Sequence, residues 1–427
     1  KGGNAMFDYA QSDLAAARDF ASSADLDELD VSNFHLFRQD IHEPFFERLR
    51  RDDPVHYHAD SRYGPYWSIT RYRHIKDVDT DHQRFSSQQN ITIIDAADEF
   101  QFDQFIAMDP PRHDEQRKVV APVVGPRNLA QMEPLIRSRV ADILDGLPVG
   151  EEFNWVQRVS VELTTQMLAT LFDFPFEERR KLTYWSDVST LGPRSGLVES
   201  WDETRREMMN CLACFTELFE ARRDPAHQGF DLITMLAQDP KTRDMPPMEL
   251  LGNVTLLIVG GNDTTRNSIS GGVLALNRFP EEYDKLRAGV ARGDPKLISN
   301  MVAEIIRWQT PLAHMRRTAL EDVDFHGRKI RRGDKVVMWY VSGNRDSAVF
   351  DDADRLIIDR PNAREHLSFG YGLHRCMGNR LAEMQLRVLW EEIVQRFHTV
   401  EVVGEPVRVP SNFIKGYAEL PVRVHPY

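Results

Sequence analysis

The chain has 427 residues, is 41% hydrophobic, and carries a formal net charge of −13. Such a length and apolar content support a large buried core, while the acidic balance disfavours nucleic acid or an anionic membrane surface as the main partner. No apolar run approaches the roughly 20 residues needed to span a bilayer, and no basic stretch followed by an apolar segment opens the chain as a leader does, so the expectation is a cytoplasmic protein. Three cysteines, Cys211, Cys214 and Cys376, are too few for a disulfide framework.

Residues 1–40 read as an N-terminal extension and residues 41–427 as one domain. A strand-like run at 65–70 comes first. The stretch 86–108 starts polar and is then dotted with Ile91, Ile93, Ile94, Phe100, Phe102, Phe105 and Ile106. A loop this long in a compact domain reads as a binding loop or lid. Apolar residues recur with a 3.6-residue period over 132–147, 159–172 and 201–222. Between the last two lies a second loop, 190–200, containing Gly192-Pro193-Arg194-Ser195-Gly196. Helical periodicity resumes over 248–278, 298–309 and 379–397, and strand-like runs appear at 335–340, 355–358, 400–403 and 421–424. The class is mainly α with a small β part. Cys211-Leu212-Ala213-Cys214 spells a CxxC, but with no second ligand pair, so helix packing accounts for it better than a metal.

The run Phe369-Gly370-Tyr371-Gly372-Leu373-His374-Arg375-Cys376-Met377-Gly378 sets one cysteine in a glycine-framed loop just before a helix. Gly372 and Gly378 turn without a Cβ penalty. The helix start directs free N–H groups and its positive dipole end at Cys376, which favours the thiolate and lowers the thiol pKa. A thiolate so placed can be the axial ligand of a haem iron.

The pattern Phe-x-x-Gly-x-x-x-Cys-x-Gly resembles the haem-ligand signature of the cytochromes P450, and the resemblance runs from about residue 40 onward. It implies a mainly α fold with haem b between the long central helix and the helix after the cysteine loop. Cys376 becomes the iron ligand, with Phe369, Gly370 and Gly378 framing the cofactor. The two long loops correspond to those covering the family's substrate pocket.

Within the predicted helix 248–278 stands Gly260-Gly261-Asn262-Asp263-Thr264-Thr265. Each mid-helix glycine costs about 1 kcal/mol against alanine, and a broken local rule often marks a functional site. Gly260 and Gly261 let the backbone approach a flat cofactor. The family's acid–alcohol pair falls on Asp263 and Thr264: the acid relays protons from solvent, the alcohol hydrogen-bonds beside the oxygen, and two protons are needed to break O–O. Glu304 and Arg307 share a helix face at i, i+3 and can pair bidentately. The resemblance adds Arg360 and makes this triad structural. His113 and Arg117, at i, i+4, together with Arg317 and His374 match positions that hold the haem propionates, with Arg316 a close competitor to Arg317.

Within the family, one branch is most similar: the soluble bacterial alkane and fatty-acid ω-hydroxylases. The runs carrying this are 260–268, 305–317 and 338–346. They imply terminal hydroxylation of medium-chain alkanes, or of fatty acids, terpenes or N-substituted cyclic substrates such as pyrrolidines. A non-enzymatic haem sensor is a distant alternative that has no use for Asp263 and Thr264. Ile94, Leu257, Ile258, Gly261, Leu312, Ala313, Met315, Phe413 and Ile414 are expected above the haem. The chain has no dinucleotide, flavin or iron–sulfur motif. Electrons from NAD(P)H are therefore expected through an iron–sulfur ferredoxin and its reductase, with O2 as co-substrate. Arg364, Arg375, Arg380 and Arg387 form a candidate basic docking patch.

Overall fold

The structure, a computed structural model, describes residues 7–95 and 102–427. Its axis is the 32-residue helix Pro247–Arg278. Proline suits a helix start, where its missing N–H costs nothing, and Pro247 occupies that place. The helix buries Leu250, Val254, Ile258, Val273, Leu274 and Ala275, which lie around its whole circumference, as in a helix enclosed by others. Helices Glu162–Phe172, Arg180–Leu191, Trp201–Ala221, Leu297–Gln309 and Asn379–Arg396 pack around it.

The helix expected at 159–172 opens with a π-turn, Val156–Val161. Thr164 and Thr165 donate back to Ser160 O and Val161 O just beyond it, competing with the helix ladder. The helix expected from 132 starts earlier, at Pro126–Asp145, again with proline at its first position.

The larger sheet runs in the order Val55–His58, Tyr66–Ile69, Lys335–Met338, Met315–Ala319, Phe85–Ser86. Tyr66–Ile69 lies parallel to Lys335–Met338, and Met315 pairs with Met338 in the antiparallel register beside it. A three-stranded sheet joins Phe153–Asn154, Pro421–Pro426 and Phe397–Val402. Before residue 40, helix Leu14–Ser23 is capped by Asp13. Ala17, Ala21, Leu36 and Phe37 share a core cluster with Phe45, Phe46, Leu49 and Trp339.

Residues 355–358, expected as a strand, form none. Their backbone groups are taken instead by charged side chains: Arg307 donates to Arg355 O, Glu304 accepts from Ile357 N, and Glu282 accepts from Ile358 N. The loop expected from 190 is partly helical, since Arg180–Leu191 continues into the 3-10 turn Gly192–Ser195. Phe100, in the first predicted loop, lies outside the described residues. Among the described residues no helix is long and apolar enough to cross a membrane.

Candidate active site

Behind the cysteine loop lies a fully buried ion triad. Arg307 donates from Nε and Nη2 to the two oxygens of Glu304, each at 2.8 Å, and Arg360 Nε donates to Glu304 Oε1 at 3.0 Å. The remaining donors of Arg307 reach Asn344 O, Ala353 O and Arg355 O. Asn344 then reaches the loop itself: its amide donates to Ser368 Oγ and Thr310 Oγ1, and its oxygen accepts from Leu367 N. A buried pair repays its desolvation only when every remaining donor is satisfied, and this one meets that condition. The loop turns at Gly370 and Gly372, with φ of +66° and +72°. A side chain at Gly372 would sit 2.8 Å from Asp79 O. Gly378 keeps an ordinary φ of −91°, so the special backbone falls on Gly370 and Gly372 rather than on Gly372 and Gly378.

Cys376 N–H donates to Phe369 O at 2.7 Å. Burial pushes its thiol above the ordinary value, while the Gly378 N–H, Arg117 and Arg375 pull it back only in part. Desolvation outweighs these donors on their own, so the positive charge that haem iron brings against the sulfur is what holds the thiolate.

Four polar side chains converge beside this loop on one wall of a cavity of about 740 Å³. The His113 and His374 rings are 4.2 Å apart. His113 Nδ1 bonds Asp114 at 2.8 Å, but its Nε2 and both nitrogens of His374 are buried without a partner. Burial lowers both imidazole pKa values, and nearby Arg317, His113 and Arg117 lower that of His374 further. Arg317, held by Asp79 at 2.9 Å, and Arg117, bonded to Leu373 O and Arg375 O, line the same cavity. Asp79 in turn accepts from Tyr340 OH and Tyr371 N. Unpartnered buried nitrogens beside two guanidiniums await an anion. The two carboxylates of a haem fit them, and Cys376, Phe369, Gly370 and Gly378 line the cavity where its ring would lie. Arg316 faces the other way, pairing with Asp95 at 2.6 Å; strand alternation sets Met315 and Arg317 on the cavity face.

On the central helix, Thr264 lines the cavity and its hydroxyl donates to Gly260 O at 3.1 Å. A side chain at Gly260 would meet nothing within 4 Å, whereas one at Gly261 would press 2.7 Å from Leu168. Gly261 therefore serves helix packing as well as the cavity wall. The Asp263 carboxylate does not line the cavity. It is fully buried, 2.8 Å from Arg266, and accepts from Ser186 Oγ at 3.1 Å and from Asn262. Arg266 also pairs with Asp187. Burial, opposed by Arg266 and reinforced by Asp187, raises the Asp263 pKa to about 6. The acid and the alcohol are neighbours in sequence, but only the alcohol faces the cavity.

Ile94, Leu257, Gly261, Leu312, Met315 and Phe413 line the cavity as expected. Ile258 does not: it points into the main core, because a helix buried on every side gives no sequence clue to which face meets the void. Ala313 and Ile414 are buried away from the cavity wall for a similar reason, Ile414 forming a bridge with Leu312. Sequence reasoning missed Asp79, which holds Arg317, and Arg194, which lines the cavity from the turn Gly192–Ser195. The Gly-Pro-Arg-Ser loop was a signal for the second; nothing in the sequence pointed to the first. Of the basic patch, Arg387 pairs with Glu133 and Glu391, and Arg364 lies 3.9 Å from Glu383. Among the described residues, exposed Arg375 and Arg380 have no ion-pair partner.

A family model described as Cytochrome P450 matches residues 194–414. The linalool 8-monooxygenase of Pseudomonas putida is 35% identical over 93% of this chain and 99% of its own. The chain belongs to the cytochrome P450 family. The methyl-branched lipid omega-hydroxylase of Mycobacterium tuberculosis H37Rv is 31% identical over 92% of this chain and 94% of that relative. Cytochrome P450-153 from Novosphingobium aromaticivorans superposes with a TM-score of 0.86 at 43% identity, covering 93% of this chain and 99% of that one. As a cytochrome P450 the protein is a monooxygenase that uses haem with a cysteine thiolate ligand and takes its electrons from redox partners.

Proposed function

We propose that this cytochrome P450 hydroxylates the terminal carbon of medium-chain alkyl substrates, alkanes foremost. The observation that carries the reading is the apolar wall made by Leu257, Leu312, Met315 and Phe413 in the cavity that also holds Cys376 and Thr264. Two relatives support chain-end chemistry by their names, the lipid omega-hydroxylase and the linalool 8-monooxygenase.

Haem bound at Cys376 supplies the activation of O2: one oxygen atom enters the C–H bond and the other leaves as water, at the cost of two electrons and two protons. Phe369, Gly370 and Gly378 would border the ring, and His113, Arg117, Arg317 and His374 would take its carboxylates. Thr264 holds a hydroxyl at the cavity face. Asp263, protonated below about pH 6 and ionised above it, would carry protons from the Asp187 side by exchanging Arg266 for Thr264. Terminal C–H bonds are stronger than internal ones, so selectivity for the chain end must come from positioning, which an apolar wall can provide. Electrons from NAD(P)H would arrive through a ferredoxin docked near exposed Arg375 and Arg380.

The test is the product profile from octane, with dodecanoic acid in parallel and a surrogate ferredoxin and reductase supplying electrons. Mostly 1-octanol is expected. Internal alcohols, or acid turnover without alkane turnover, would reject the alkane reading while leaving the monooxygenase intact.

A further inference from the structure

Two loops form part of the cavity wall, and one histidine joins them. Ile91, Thr92 and Ile94 line the cavity from the first loop, Ser411, Asn412 and Phe413 from the second. His314 lies behind both, fully buried, and does not itself line the cavity. Its Nδ1 is 2.8 Å from Asn412 O, and its Nε2 is 3.1 Å from Ile93 N. Asn412 O can only accept and Ile93 N–H can only donate, so the ring is the neutral tautomer with its hydrogen on Nδ1. Burial keeps it neutral, lowering the imidazole pKa to about 4. The same ring stands edge-on to Phe413 and Trp339, with centroids 5.3 Å and 4.9 Å away.

Each loop is also fastened separately. Ile93 O accepts from Lys335 Nζ at 2.9 Å, and Ile91 O accepts from Arg316 N at 2.7 Å. Phe413 O accepts from Ala313 N at 2.8 Å, and Asn412 Nδ2 donates to Ser32 O in the N-terminal segment. These bonds hold one loop or the other to the body of the protein. Among the described residues only His314 hydrogen-bonds both loops. A buried imidazole that commits one nitrogen to each loop fixes their separation, since either nitrogen left unmade carries a desolvation cost.

We infer that His314 is a positioning residue: by holding the two loops together as one wall, it fixes which carbon of an alkyl chain is hydroxylated. The inference rests on the chain-end reading of the cavity and names a residue that enforces it. An alkane has no polar group to be held by, so its orientation is set by the shape of the wall alone. Without both bonds Ile91 and Ile94 shift relative to Phe413, and internal carbons reach the reacting oxygen as well as the chain end.

The experiment compares octane products of the wild-type holoenzyme with those of three variants, per mole of thiolate-ligated haem, with a surrogate ferredoxin and reductase. Where octane is not turned over, dodecanoate serves, read as ω-hydroxy against internal hydroxy acid. His314→Phe keeps a ring against Trp339 and Phe413 but loses both bonds. His314→Asn places an amide near the Nδ1 position and keeps the bond to Asn412. His314→Gln reaches the Nε2 position and keeps the bond to Ile93. In His314→Phe the ratio of terminal to internal product falls about fivefold, the scale of one net hydrogen bond, and His314→Asn and His314→Gln each recover part of it. An unchanged ratio in His314→Phe overturns the inference even where less holoenzyme forms, because a purely structural role lowers the yield and leaves the products alone. If His314→Phe gives no holoenzyme, the other two decide, and a wild-type ratio in both overturns it. Mostly internal product from wild type sinks the chain-end reading. A product distribution that still shifts in the variants then keeps His314 in its role, and one that does not shift sinks that as well.

Discussion

The scaffold behind the cysteine loop and the wall in front of it treat polar groups in opposite ways. Behind, Glu304, Arg307, Arg360 and Asn344 are saturated by one another and by backbone carbonyls. In front, His113 Nε2, both nitrogens of His374, Thr255 Oγ1 and Gln385 Oε1 are buried with no partner, and all of these residues line the cavity. A buried donor or acceptor left unmade costs roughly 1–3 kcal/mol. Others lie elsewhere in the core, Trp155 Nε1 and Trp390 Nε1 among them, but the cavity wall gathers several beside two guanidiniums, where a cofactor can complete them.

Five substitutions break or sharpen this contrast. Cys376→Ala removes the sulfur at the boundary of the two regions. Hydroxylation should fall to background, and the reduced carbon monoxide complex should lose the absorption band of thiolate-ligated haem. Retained activity would remove Cys376 from its role. Glu304→Ala strikes the saturated side and leaves two buried guanidiniums uncompensated, a loss of about 3–5 kcal/mol. Chemical denaturation should show it as a large drop in the unfolding midpoint; a midpoint within error of wild type would make the triad dispensable.

On the open side the effects should fall on chemistry rather than stability. Asp263→Asn should slow product formation on the order of 10²-fold, the range of a lost proton-transfer group. The pH profile supplies the sign. Because the folded pKa is raised to about 6, the carboxyl is neutral below that value and ionised, fastened to Arg266, above it. Product per NAD(P)H should therefore decline as pH rises through 6 in wild type and stay flat in Asp263→Asn. Thr264→Ala should lower product per NAD(P)H severalfold with little change in NAD(P)H consumption, and unchanged coupling would end its part in proton delivery. The smallest effect is expected at the exposed patch, where Arg380→Glu should raise the ferredoxin KM a few-fold, more at low salt than at high.

Much of this was legible in the sequence because the elements obey local rules. The helices around residues 132–309 follow their apolar period, although the start at Pro126 lies ahead of the first periodic residue, Met132. The cysteine loop was legible because its residues are contiguous. What failed were judgements that depend on a distant partner. Residues 355–358 look like a strand until Glu304 and Arg307 take their backbone groups. Ile258 looks like cavity lining until the neighbouring helices surround it. Asp263 remains the candidate acid, but its ties to Arg266 and Ser186 hold it off the cavity wall, which its place in the sequence does not show. Arg316 and Arg317 could have been separated, since alternation along a strand puts Arg317 on the face of Met315. Asp79 could not be found, because nothing beside it in the sequence announces the arginine it holds.

The bond between Arg266 and Asp187 ties the centre of the molecule to its cover. Asp187 belongs to helix Arg180–Leu191, which is followed directly, after a bend at Gly192, by the turn carrying Arg194. The guanidinium that faces Asp263 is thus shared with a helix of the cavity cover, and the buried acid is fastened to the same stretch of chain that carries Arg194.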